Sequence, residues 1–133
     1  MIVVDTNVIS YLLIDGPLTP LAEQAARKDQ WCAPILWRSE FRNVLAFYFR
    51  KNALTLADAR AQMDAAERLL GGREFTVRST LVFDCVGRSK RSAYDCEFVA
   101  LAMDLGVSLV TTDEPVVNEF PGIAVHLKTY VGR

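Results

Sequence analysis

The chain has 133 residues, of which 51% are hydrophobic and 23% charged, with a formal net charge of −1. That composition is globular and long enough for a single domain with a real core, and it excludes a disordered chain. Overall charge announces no nucleic-acid ligand, so any such ligand must meet a local basic patch. The longest hydrophobic runs, Val44–Phe49 and Phe98–Met103, are six residues each, against about twenty for a membrane span. Met1 leads into Ile2-Val3-Val4 without a basic stretch, so neither a membrane segment nor a secretory signal is expected. Cys32, Cys85 and Cys96 are scattered and lack zinc-type pairing, which suggests free core thiols in a reducing cytoplasm.

Ile2-Val3-Val4 reads as a buried strand, ended by Asp5-Thr6-Asn7, from which a helix runs to about Leu13. Gly16-Pro17 breaks it, and Thr19 to Lys28 forms a second helix. Trp31-Cys32-Ala33 is a short strand stopped by Pro34. Leu36 to Lys51 is an amphipathic helix with an apolar stripe of Leu36, Trp37, Phe41, Val44, Phe47 and Tyr48. Arg38, Arg42, Phe49 and Arg50 lie away from that stripe. Thr55, with Asp58 three residues on, caps a helix through Leu70 that Gly71-Gly72 ends. Phe75 to Val77 is a possible strand and Thr80 to Val86 a helix. An apolar helix from Ser92 to Leu105 closes at Gly106. Val107 to Thr111 is a strand, Glu114 to Phe120 a helix, and Ile123 to His126 a last strand. Alternating strands and helices imply an α/β fold with a mainly parallel central sheet covered on both faces.

Four acids stand where acids need a reason. Asp5 and Asp113 follow strand ends, the edge where open parallel sheets build their sites; each is also suited to cap the helix that follows. Glu40 projects from inside the apolar stripe, where an ionised carboxylate is costly unless a buried Arg or water compensates. Asp95 sits three residues after Ser92 in a capping-box arrangement, yet it shares a face with Phe98, Val99 and Ala102. Brought together, the four would repel one another, by about 4 kcal/mol for each pair at about 4 Å and an effective dielectric of about 20. A hard divalent cation removes that repulsion, and oxygen donors suit Mg²⁺ or Mn²⁺. His126 is the only histidine, which speaks against metal-free acid–base cleavage of RNA. The densest basic run, Arg88-Ser89-Lys90-Arg91, leads directly to Ser92 and Asp95. Arg88, Lys90 and Arg91 are therefore candidate contacts for RNA phosphates, or a solvated loop.

Val3-Val4-Asp5-Thr6-Asn7, Glu40 in Arg38-Ser39-Glu40-Phe41, Ser92 to Ala102, and Leu109-Val110-Thr111-Thr112-Asp113, in that order and spacing, resemble the PIN domain. More narrowly, they resemble the VapC-type toxin of a toxin–antitoxin pair. The resemblance spans nearly the whole chain. It implies a PIN-like α/β/α sandwich, Mg²⁺- or Mn²⁺-dependent endoribonuclease activity, a homodimer and a VapB-like antitoxin that blocks the site. It casts Asp5 and Asp95 as principal metal ligands, with Glu40 and Asp113 as ligands or water-positioners completing the site. Asn7, Ser92 and Thr111 would orient those carboxylates. The competing reading from another class is a non-catalytic RNA-binding or scaffold PIN domain. A receiver domain would need paired acids after the first strand, and a D-x-D phosphatase would need Asp where Asn7 stands.

Overall fold

The computed structural model describes residues 1–133. In chain order the elements are β1 (Ile2–Val4), α1 (Thr6–Leu13), α2 (Thr19–Lys28), β2 (Trp31–Pro34), α3 (Trp37–Arg50), α4 (Leu56–Leu70), β3 (Glu74–Phe75), α5 (Ser79–Gly87), α6 (Ala93–Leu105), β4 (Leu109–Thr111), α7 (Glu114–Glu119), β5 (Ala124–His126) and α8 (Leu127–Val131). The five strands form one sheet in the order β3-β2-β1-β4-β5, and every pairing is parallel. Ile2-Val3-Val4 and Leu109-Val110-Thr111 are buried along their whole length, as central strands covered on both faces must be.

The connections from β1 to β2 to β3 step one way along the sheet, and the return from β3 to β4 steps back. Right-handed crossovers therefore put α1–α4 on one face and α5 with α6 on the other. The packing agrees: α1 touches α2, α3 and α4, while α5 packs on α6 and α6 on β1, β2 and β4. The core joins the sheet to Trp37, Phe41 and Leu45 of α3, Leu70 of α4 and the Phe98–Ala102 face of α6.

Three sequence expectations need correction. Val77 lies outside β3, which ends at Phe75. The helix α8 was not expected; its five residues are too few to show a period, and His126 Nδ1 caps it by accepting from the Lys128 N–H at 3.1 Å. Arg38 is not on a free polar face. It is half-buried and grips both carboxylate oxygens of Glu74 at 2.7 Å, and it meets Glu67 at 2.9 Å. Trp37 Nε1 also donates to Glu74, at 3.0 Å. The start of α3 is thereby bolted to β3 and α4.

Candidate active site

Because all strands are parallel, their carboxyl ends share one edge of the sheet. The strand order reverses between β1 and β4, and a crevice opens outside such a switch point. Asp5 leaves β1 there and Asp113 follows β4 by two residues. Glu40 comes from the first turn of α3 and Asp95 from the first turn of α6. All four line a single cavity of about 260 Å³, together with Thr6, Asn7, Asn43 and Thr111. Positions spread from 5 to 113 thus converge, as the sequence pattern predicts.

Each carboxylate is held differently. Asp5 caps α1, accepting from the Val8 N–H at 3.1 Å, while its other oxygen accepts from the Thr111 hydroxyl. The same hydroxyl oxygen accepts the Asp113 N–H at 3.0 Å, so Thr111 couples the two strand-end acids. Asp113 caps α7 through the Val116 N–H at 3.3 Å. The capping roles considered for Asp5 and Asp113 are real and coexist with their place in the cavity. Glu40 accepts from the Thr6 hydroxyl at 2.7 Å. Ser92 Oγ accepts the Asp95 N–H at 3.0 Å and so fixes the start of α6. Asn7 is exposed at the cavity wall.

The electrostatics follow from this crowding. Burial, assisted by the charges of Asp113 and Asp95, pushes Asp5 up to about 6 against the pull of its hydrogen bonds from Thr111 and Val8. Burial raises Asp95 as well, and Asp113 adds to it. Glu40 is raised by burial and then by Asp95, although the Thr6 hydroxyl opposes the shift. No Lys or Arg lines the cavity, so the negative set lacks a protein counter-ion inside it. No three of the acids stand close enough to hold one ion as they are arranged. Mg²⁺ does not require that: it is usually bound by one or two carboxylates, completed by waters and substrate phosphates. The donor set fits such an ion.

A family model described as PIN domain matches residues 2–118. The chain belongs to the PIN-domain family. No curated protein matches it significantly. Among solved structures, this PIN domain is similar to FitAcB from Neisseria gonorrhoeae, with a TM-score of 0.76 and 16% identity over 96% of this chain and 99% of that one. It is also similar to PAE2754 from Pyrobaculum aerophilum, with a TM-score of 0.77 and 18% identity over 99% of this chain and 94% of that one. A third structure, FitAB bound to an IR36 DNA fragment, gives a TM-score of 0.72 and 17% identity over 96% of this chain and 95% of that one.

The basic run is less uniform than its sequence suggests. Arg88 and Lys90 are exposed, and the Arg88 guanidinium lies 5.7 Å from the Phe120 ring centroid. Arg91 is half-buried, its Nε 2.5 Å from Glu119 Oε2 in an ion pair without an aligned hydrogen bond. Two contributors were missed from sequence. Thr6 reaches Glu40 across 34 positions, which no local pattern reports. Asn43 lines the cavity three residues after Glu40, and helical spacing alone puts both on one face.

Proposed function

We propose that this PIN domain is a Mg²⁺- or Mn²⁺-dependent endoribonuclease and the VapC-type toxin of a type II toxin–antitoxin pair. The observation that carries the reading is the gathering of Asp5, Glu40, Asp95 and Asp113 around one cavity with no basic residue among them. A cavity that only bound RNA would gain nothing from four carboxylates, since each repels phosphate. Asp5 and Asp95 would be the principal ligands of the ion, with Glu40 and Asp113 as further ligands or as residues that position water around it. Such an ion would offset charge on a phosphate oxygen and lower the pKa of a water, so that the hydroxide left after proton loss could attack phosphorus.

The chain's own groups do the positioning. The Val8 N–H and Thr111 hydroxyl aim the two oxygens of Asp5. Thr6 fixes one oxygen of Glu40 and leaves the other to accept a proton from water or to orient it. The raised proton affinities of Asp5, Asp95 and Glu40 reflect burial and mutual repulsion, which a bound cation would relieve. The antitoxin reading rests on the pattern of residues and on the likeness to FitAcB and FitAB; the homodimer rests on the residue pattern alone, and the reducing cytoplasm on the scattered free cysteines. An antitoxin side chain carrying positive charge would satisfy the same four acids and block the site.

The test is cleavage of single-stranded RNA by purified protein with Mg²⁺, with excess chelator, and as the Asp5→Asn variant. Loss of at least about a hundredfold is expected in the last two, because removing a group that stabilises charge in the reaction costs about that much. Full activity of a folded Asp5→Asn protein would overturn the assignment.

A further inference from the structure

A second concavity opens beside the acidic one. It measures about 700 Å³ and is walled by α1, the turn into α2, and α3, with Asn7, Asn43 and Val44 shared between the two. The two spaces adjoin, so a strand lying across the acids has a path into the second. Its lining includes three aromatic rings, Tyr11, Tyr48 and Phe47, together with one acid, Asp15, at the turn; Phe47 is 56% exposed. Phe47 and Tyr48 meet edge to face, their centroids 5.5 Å apart at 85°, which presents a ring face and a ring edge to the same space. Phe47 lies on the stripe expected to be core, yet a monomer gains little from it there.

The groove is built before anything enters. The Thr19 hydroxyl, itself buried, donates to the Tyr11 carbonyl at 2.5 Å and accepts the Gly16 N–H at 3.0 Å, and so pins the turn that forms one wall. Tyr11 is tied to Thr112 through their hydroxyls at 2.9 Å, beside Asp113. Lys51 does not line the groove, but its ammonium stands over the Phe47 ring, 5.3 Å from the centroid.

We infer that this groove is a nucleobase subsite, in which an unpaired base next to the cut phosphate stacks on Phe47 while Asn43 and Asn7 hydrogen-bond to its edge or to the ribose. The inference rests on the nuclease reading above and deepens it. Aromatic faces hold single-stranded bases without needing their sequence, and an Asn amide carries both donors and an acceptor, as a base edge requires. Lys51 is placed to meet the phosphate of the next nucleotide. A duplex could not use the groove, because its bases are stacked and paired, so the subsite selects single strands.

The experiment measures binding of a short fluorescent single-stranded oligoribonucleotide to the Asp5→Asn protein, in which the strand stays intact, and then to the same protein carrying Phe47→Ala or Phe47→Trp. An exposed ring can be removed without disturbing the core, and circular dichroism checks that the fold survives. Phe47→Ala should weaken binding about tenfold, and Phe47→Trp should restore it, in line with the usual worth of one stacked base. Equal affinity of Phe47→Ala and its parent overturns the subsite and leaves the nuclease reading intact, since cleavage by the wild type is read separately. Equal affinity for a duplex of the same sequence also overturns it. So does a Phe47→Ala protein that binds RNA normally but no longer captures a protein partner. If the parent binds no single-stranded RNA at all, the subsite falls, while the nuclease reading stands or falls on cleavage by the wild type.

Discussion

In the metal-free protein Asp5 holds its proton up to about pH 6, whereas an unfolded chain releases it near its ordinary value of 3.8. The sign follows from proton linkage. Between those two values the folded state binds more protons than the unfolded one, so stability falls as pH rises through that window and is level above it. The displacement amounts to at most about 3 kcal/mol. Asp5→Asn removes it. The melting temperature of the variant minus that of wild type, both in chelator, should therefore grow by several degrees between about pH 4 and pH 7 and then level off. A difference independent of pH would mean that Asp5 is ordinary. Glu40 and Asp95 are shifted in the same direction, so the wild-type curve should slope the same way. At this scale the sequence was legible where the backbone dictates position. Asp5 and Asp113 follow strands, and strand ends of a parallel sheet share an edge. The partners of the carboxylates were not legible, because Thr6–Glu40 and Thr111–Asp5 are contacts between distant segments.

Among the elements, α3 does two jobs at once. Its inner face, Trp37, Phe41 and Leu45, is core, while its first two turns deliver Glu40 and Asn43 to the cavity. The angle of that first turn is set by Arg38 clasping Glu74 on β3 and touching Glu67 on α4. Arg38→Ala should lower stability by about 2 kcal/mol, since it leaves the half-buried Glu74 carboxylate without its charged donor. It should also reduce cleavage several-fold by letting Glu40 drift, although Arg38 touches no substrate. Chemical denaturation and the rate under saturating metal would read the two effects, and Arg38→Lys should rescue neither fully, because an ammonium cannot match the paired oxygens. The amphipathic pattern located this helix well. It misassigned Arg38 because β3 is only two residues long, too short to announce that an acidic partner would lie opposite. Phe49 is exposed as its helical position implied, and with Leu56 and Met63 it lines a shallow groove between α3 and α4.

For the molecule as a whole, the sheet order was not written in any local motif, but the alternation of strands and helices was enough to predict a parallel sheet. The charge distribution gives a test at the same scale. Arg88 and Lys90 are the free cations of the basic run, and Arg91 is already paired with Glu119. Neutralising Arg88 and Lys90 together should flatten the dependence of RNA affinity on salt by roughly 0.7 per lost phosphate contact on a log–log scale. An unchanged slope would move the RNA path to the Lys51 side. The strand order carries one more consequence. β4 lies between β1 and β5, and the acid that follows it is the last of the four to be synthesised. A nascent chain that has emerged only through α6 can pair β1, β2 and β3, but β1 remains an open edge and Asp5 lacks both Thr111 and Asp113. On the nuclease reading proposed above, such a chain lacks a complete reaction centre. The proposed activity is therefore deferred until β4 slots into the sheet, and if the chain is the toxin proposed above, that interval is open to an inhibitor already present.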